Sequence, residues 1–210
     1  MSKGSVEVLV LCGAAGTGKT ATLWEVGHIL RHLGVHHALI DTDELDRVWP
    51  PPETTETLIS ISRRNLQAMW ETVSDLGIRH CVLCGVMAST ARASEWIENA
   101  IPDAAITFVR LSAEQSTRAQ RLRNQEVGSG FDQEMQASDE AARYIENHNQ
   151  PGTHTVKTDG KAVSEVAAEA LDVTNGLTWL RTSYLTASVR RGLWRRSAEV
   201  PEEGQVATFE

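Results

Sequence analysis

Apolar residues along the chain fall into two alternating patterns. Short continuous runs rich in Val, Ile and Leu occur at Val6–Cys12, His37–Asp41, Arg79–Val86, Ala105–Leu111 and His154–Thr158, each bounded by polar or Gly positions. Runs of that length and composition predict buried strands. The stretches between them predict helices over Lys19–Leu33, Thr54–Leu76, Ala91–Ala100, Glu114–Glu126, Gln133–Asn147 and Ala162–Val173. Within Thr54–Leu76, Ile59, Leu66, Met69, Trp70 and Val73 recur near helical spacing and mark one face. Strands alternating with helices predict an α/β fold: a five-stranded parallel sheet covered on both faces, three layers in all. Ligands of such sheets bind beyond the carboxyl ends of the strands, so that edge is where chemistry is expected.

The pattern changes after Asn175-Gly176. Trp179, Leu180, Leu185, Val189, Leu193 and Trp194 are interleaved with Arg181, Arg190, Arg191, Arg195 and Arg196. This predicts a C-terminal helix packed on the core with a solvated basic face; a homodimer contact or a surface for an anionic partner is the alternative. The last dozen residues are acidic and without periodicity, a composition that favours disorder. The organisation expected is therefore one domain over 1–175 and a helix with a flexible acidic tail over 176–210.

Composition narrows the partners. At 210 residues, 41% hydrophobic and 23% charged, the chain suits one globular domain with an appendage. A net charge of -8 argues against duplex nucleic acid as the main partner. No apolar run approaches the ~20 residues of a membrane helix. The opening "MSKGSVEV" holds no signal-peptide core, so a cytoplasmic location is expected. Cys81 and Cys84 form a C-x-x-C, but three residues apart on a strand their side chains point to opposite faces, so they read as buried thiols. His28, His32, His36 and His37 lie away from the carboxyl edge or on the first helix and read as surface or core residues.

One loop carries specific chemistry. Gly13-Ala14-Ala15-Gly16-Thr17-Gly18-Lys19-Thr20 fits G-x-x-x-x-G-K-[ST] without mismatch, between an apolar strand and a helix, the context this P-loop motif requires. Its glycines let successive N–H groups turn inward on one anion, and the helix start adds unsatisfied N–H groups and a positive dipole end. Lys19 is expected to bridge the β- and γ-phosphates and the Thr20 hydroxyl to ligate Mg²⁺, with Thr22 counted among the nucleotide-binding residues. The chain is therefore expected to bind a nucleoside triphosphate, with adenine the preferred base, in a three-layer P-loop NTPase fold.

The fate of the terminal phosphoryl group turns on where the acids lie. A GTPase switch carries D-x-x-G and N/T-K-x-D, and neither is found; the nearest candidate, "TVKTDG", has Val156 in place of the Asn or Thr. An ATPase motor carries an acid at the end of a core strand, whereas the third strand here ends "LCGVMAS". The acids follow the second strand, in "ALIDTDELDRVWP". Asp41 follows Lys19 closely in sequence, so its strand is expected beside the first. Asp41 and Asp43, spaced i and i+2, project toward a common region, where one accepts a proton from an attacking hydroxyl and the other orients Mg²⁺ or holds the acceptor. Which does which stays open, and Asp43 capping a short "ELDRVW" helix is the competing reading.

On "GAAGTGKT", "IDTDELDR" and the Arg-rich helix after the fourth strand, the chain resembles the small P-loop kinases that include adenylylsulfate, gluconate and shikimate kinases and chloramphenicol phosphotransferase. The resemblance covers residues 5 to 174. It implies a lid over residues 118–135 that closes on ATP, with Arg118, Arg121 and Arg123 placed to stack on adenine or reach the transferring phosphoryl group. Gly128 and Gly130 around Ser129 supply hinge freedom. It further implies that Lys157, Thr158 and Gly160 lie against the adenine edge, and that Gly85, Val86 and Met87 line the acceptor site.

From the residues themselves, Arg47 and Trp49 are candidates to hold an anionic group and to stack on a flat or sugar-like face, with Arg63 and Arg64 following on the helix; each can equally be packing. The activity expected is ATP- and Mg²⁺-dependent transfer to the hydroxyl of a small molecule, a metabolite or an antibiotic, with Lys19, Asp41, Asp43 and Arg121 catalytic and Thr20 and Asp41 at the metal. The alternatives are a nucleotide or nucleoside kinase, a regulatory NTPase and an RNA-directed kinase.

Overall fold

The computed structural model describes residues 6–85, 92–125, 136, 138–140, 142–145 and 151–174. Five parallel strands, β1 (Val6–Cys12), β2 (His37–Asp41), β3 (His80–Cys84), β4 (Ala104–Ser112) and β5 (His154–Lys157), form one sheet in the order β2-β3-β1-β4-β5. The helices are α1 (Lys19–His32), α2 (Thr55–Asp75), α3 (Ala93–Ala100), α4 (Gln115–Gln125) and α5 (Val163–Val173). Between α4 and β5, residues 136, 138–140 and 142–145 are also helical. Residues 176–210, where a helix, a flexible acidic tail and a dimer contact are expected from the sequence, lie outside the described residues, as do Gly128, Ser129 and Gly130. None of the described helices is long and apolar enough to cross a membrane.

Strand alternation builds the three layers. Val6, Val8, Val10 and Cys12 of β1 face a cluster closed by Leu66 and Trp70 of α2 and Trp96 and Ile97 of α3. Leu9 and Leu11 face the opposite cluster, closed by Leu23, Val26 and Leu30 of α1 and Val166 and Ala167 of α5. Leu9 and Leu11 are fully buried, each worth about 1.5–3 kcal/mol in transfer free energy. Cys81 joins the first cluster and Cys84 the second, so the C-x-x-C thiols stand on opposite faces. Burial pushes the Cys81 thiol up to about 12.

The strand order corrects one expectation. β2 does not lie beside β1; β3 stands between them, with Cys84 in register with both Leu11 and Asp41. The burial patterns give the reason. In β3 four of the five residues are buried, as an interior strand requires, whereas β2 alternates half-buried and buried and suits the sheet edge.

Candidate functional site

The loop between β1 and α1 is held by its own polar groups. Thr17 Oγ1 donates to the Ala14 carbonyl at 2.8 Å, and the buried Lys19 Nζ donates to the same oxygen at 3.3 Å. The ammonium is thus folded back over the loop rather than extended into solvent. Two glycines are obligatory by contact. A Cβ on Gly13 (φ 143°) would run into the Leu111 carbonyl oxygen, and one on Gly16 (φ 78°) would lie 2.8 Å from the Arg118 carbonyl oxygen. Gly18, at φ 95°, precedes α1 with no side-chain cap, so the first N–H groups of that helix keep their capacity for an anion. Thr22 is buried one turn into α1, its N–H donating to the Gly18 carbonyl at 2.9 Å.

Although β3 intervenes, the acid that ends β2 reaches the loop. Thr20 Oγ1 donates to Asp41 Oδ2 at 3.1 Å. The other oxygen, Asp41 Oδ1, accepts the Asp43 N–H at 3.1 Å and caps the 3₁₀ turn Thr42–Glu44. The cap is therefore Asp41, not Asp43, and no "ELDRVW" α-helix forms. Thr42 Oγ1 donates to the Cys84 carbonyl at 2.9 Å, fastening the turn to the end of β3. A Cβ on Gly85 (φ 150°) would collide with Thr42 Oγ1 and lie 2.8 Å from Asp43 Oδ1, so the Asp43 carboxylate overlies this glycine. Burial first, then the neighbouring Asp41, pushes the Cys84 thiol above its ordinary range, which keeps it neutral beside the acid.

On the other side of the loop stands Arg121 of α4. One guanidinium nitrogen donates to the Gly16 and Thr17 carbonyls at 3.3 and 3.4 Å and to Thr158 Oγ1 at 2.9 Å; the other donates to the Thr158 carbonyl at 2.9 Å. Thr158 is buried, and its N–H donates to the Ser112 carbonyl at 2.9 Å, tying the turn after β5 to β4. Burial works against the charge of Asp159, but the Glu114 N–H, the Thr117 hydroxyl and the Arg121 guanidinium hold its carboxyl below the usual range.

No protein-family model and no curated protein sequence matches the chain. Solved structures do. An APS kinase of Mycobacterium tuberculosis in complex with AMPPNP and APS superposes with a TM-score of 0.54 at 17% identity over 81% of this chain and 98% of that one. A sugar kinase from Janibacter sp. gives 0.55 at 15% identity over 81% and 95%, and a gluconokinase from Sinorhizobium meliloti 0.52 at 18% over 91% and 97%. The fold is that of the small P-loop kinases. This agrees with the resemblance carried by the loop and the acids after β2.

Within the P-loop kinase fold, the remaining candidates separate by burial. Arg118 is buried and its guanidinium is taken up by protein partners: it donates to Ser138 O at 3.0 Å, Ser138 Oγ at 2.7 Å and Asp139 Oδ1 at 2.8 Å. Ser138 Oγ in turn donates to the Ala15 carbonyl at 2.9 Å, so the segment after the expected lid is fastened to the loop. No local signal in the sequence marks Ser138 or Asp139 as partners of Arg118. Arg123 and Lys157 are exposed, and so is Gly160. Arg47 pairs with Glu44 at 3.0 Å on the surface, Trp49 is 91% exposed and Arg63 is half-buried. Val86 and Met87 lie outside the described residues. Two further residues belong to this side. Asn65 Nδ2 of α2 donates to the Leu45 carbonyl at 2.7 Å, docking the loop after β2 on the helix, and burial followed by the charge of Asp43 raises the Asp46 carboxyl above its ordinary value.

The donors present fit a magnesium-bound nucleotide. The Thr20 hydroxyl and the Asp41 carboxylate offer hard oxygens at the mouth of the loop, beside a buried ammonium and a helix N-terminus. Among the described residues no group of three or more His, Cys, Asp or Glu is arranged to hold a metal, so these two oxygens suit an ion that keeps most of its shell as phosphate oxygens and water.

Proposed function

We propose that this chain is an ATP- and Mg²⁺-dependent phosphotransferase that moves the γ-phosphoryl group to the hydroxyl of a small molecule, a metabolite or an antibiotic. The observation that carries the reading is the Thr20–Asp41 contact of 3.1 Å, which brings the acid that ends β2 to the phosphate loop across an intervening strand. The fold shared with an APS kinase, a sugar kinase and a gluconokinase supports it.

Bound Mg²⁺·ATP supplies the phosphoryl group and neutralises charge on the phosphates. The loop N–H groups and Lys19 hold the β- and γ-phosphate oxygens. Thr20 and Asp41 orient the metal end of the nucleotide, Asp41 being already committed through Oδ1 to the Asp43 N–H. Asp43, above Gly85, then accepts the proton of the acceptor hydroxyl as its oxygen forms the new bond to phosphorus and the bond to the β-phosphate oxygen breaks. The products are the phosphorylated acceptor, ADP and one proton passed on to solvent. Arg121 places positive charge beside the loop, where the transition state spreads negative charge. Thr158 and Gly160, after β5, stand toward the base. The test is an ATP-consumption screen across hydroxyl-bearing metabolites and antibiotics, read by mass gain on the acceptor. ADP release that no acceptor stimulates would contradict the reading.

A further inference from the structure

The phosphate loop is gripped from outside by two stretches that follow β4. Three consecutive carbonyls, those of Ala15, Gly16 and Thr17, accept hydrogen bonds from side chains more than a hundred residues away. Arg121 of α4 reaches the Gly16 and Thr17 oxygens, and Ser138 Oγ donates to the Ala15 oxygen at 2.9 Å. The backbone of α4 closes over the same point, since a Cβ on Gly16 would lie 3.1 Å from the Arg118 Cα.

A trans peptide carries its C=O and its N–H on opposite sides. A carbonyl drawn outward by a side chain therefore turns the N–H of the next residue toward the hollow of the loop. The Ala15–Gly16 peptide is the one most in need of such a hold. Packing against Arg118 admits only glycine at 16, and the φ of 78° lies in the left-handed region that favours it. Turning this peptide over changes chiefly ψ of Ala15 and φ of Gly16, and a glycine resists neither sign of φ. Turned over, the loop would present a carbonyl oxygen to an anion in place of an N–H.

Ser138 is built to supply the hold. It is buried, and its hydroxyl has a single hydrogen to give. Arg118, which can only donate, bonds to the lone pairs of that oxygen at 2.7 Å, so the hydrogen is left for Ala15. Gln115 Nε2 holds the neighbouring Asp139 at 2.7 Å, so Ser138 is kept against α4 by more than one route. We propose that Ser138 is a positioning residue for the phosphates: its hydroxyl fixes the Ala15–Gly16 peptide with the Gly16 N–H facing the bound phosphate chain. Ser138 acts through the loop and touches no ligand itself. This rests on nucleotide binding by the loop, which is part of the phosphotransferase reading above, and adds to it a residue far outside the loop motif.

The test titrates the wild type, Ser138→Ala and Ser138→Thr with the Mg²⁺ complexes of AMPPNP and of inorganic tripolyphosphate, read by calorimetry at a temperature where Tm shows all three folded. Ser138→Ala is expected to weaken both ligands by the same factor, about 3- to 10-fold, and Ser138→Thr, which restores the hydroxyl, to recover most of it. Equal weakening is the signature, because tripolyphosphate has no base and meets the loop alone. Unchanged affinities in Ser138→Ala overturn the proposal and leave the phosphotransferase reading standing. A loss for AMPPNP alone also overturns it, and assigns Ser138 to the base side. In the wild type, the Gly16 N–H signal in ¹H–¹⁵N NMR is expected to move when tripolyphosphate is added, a readout that needs no variant; a signal that stays in place overturns the proposal. A wild type that binds neither ligand overturns the nucleotide reading itself, and the proposal with it.

Discussion

The proposed nucleotide side and the proposed acceptor side of the carboxyl edge are built in opposite ways. On the proposed nucleotide side the polar side chains already have protein partners: Lys19 and Thr17 on Ala14, Arg121 on Gly16, Thr17 and Thr158, Ser138 on Ala15. On the proposed acceptor side Trp49 is exposed, and Arg47 reaches only near neighbours in sequence, the Glu44 carboxylate and the Asp43 carbonyl. Where the ligand is a phosphate chain, backbone N–H groups and one lysine suffice, and the loop can be pre-formed. Where the ligand is an individual small molecule, side chains must wait for it. A preorganised loop on one side and exposed side chains on the other are what the proposed transfer from a common donor to a particular acceptor requires.

The largest break in this contrast comes from Lys19→Ala. Removing the buried ammonium from the loop should abolish ATP-dependent turnover, a loss of about 10³-fold or more, and weaken nucleotide binding in calorimetry while the fold persists. Retained turnover would mean that the loop is not the donor site.

Arg118→Leu tests the packed side differently. It strips Ser138 and the partly exposed Asp139 of their buried partner, which should cost about 2–4 kcal/mol and lower Tm by about 5–10 °C. As a tether, Arg118 should leave KM for ATP nearly unchanged. A rise in that KM at constant Tm would instead restore it to the nucleotide.

The smallest effect is reserved for Trp49→Ala. A residue 91% exposed contributes under about 0.5 kcal/mol to stability. An indole that closes on the acceptor should nevertheless raise the acceptor KM by about 3- to 10-fold. No change in either quantity would place Trp49 outside the site.

The sequence made the same contrast legible in advance, unevenly. The phosphate loop could be read whole because each residue answers to a local constraint, such as the positive φ of Gly13, Gly16 and Gly18 and the helix that opens at Lys19. All five strands were visible as apolar runs, displaced by at most two residues at their ends. The neighbour of β2 was misjudged because strand order depends on which run is buried on both faces, and closeness in sequence says little about that. The tie from Arg118 through Ser138 to Ala15 links positions more than a hundred residues apart, and no spacing rule reaches that far.

The proposed transfer depends on an acid pair and a phosphate loop acting together. Its most direct test is ADP release by Asp43→Asn, with and without the best acceptor from the screen, alongside calorimetric affinity for the Mg²⁺ complex of AMPPNP. Nucleotide affinity should stay within about twofold of the wild type while acceptor-stimulated release falls about 10²- to 10⁴-fold. Undiminished acceptor-stimulated release would contradict it.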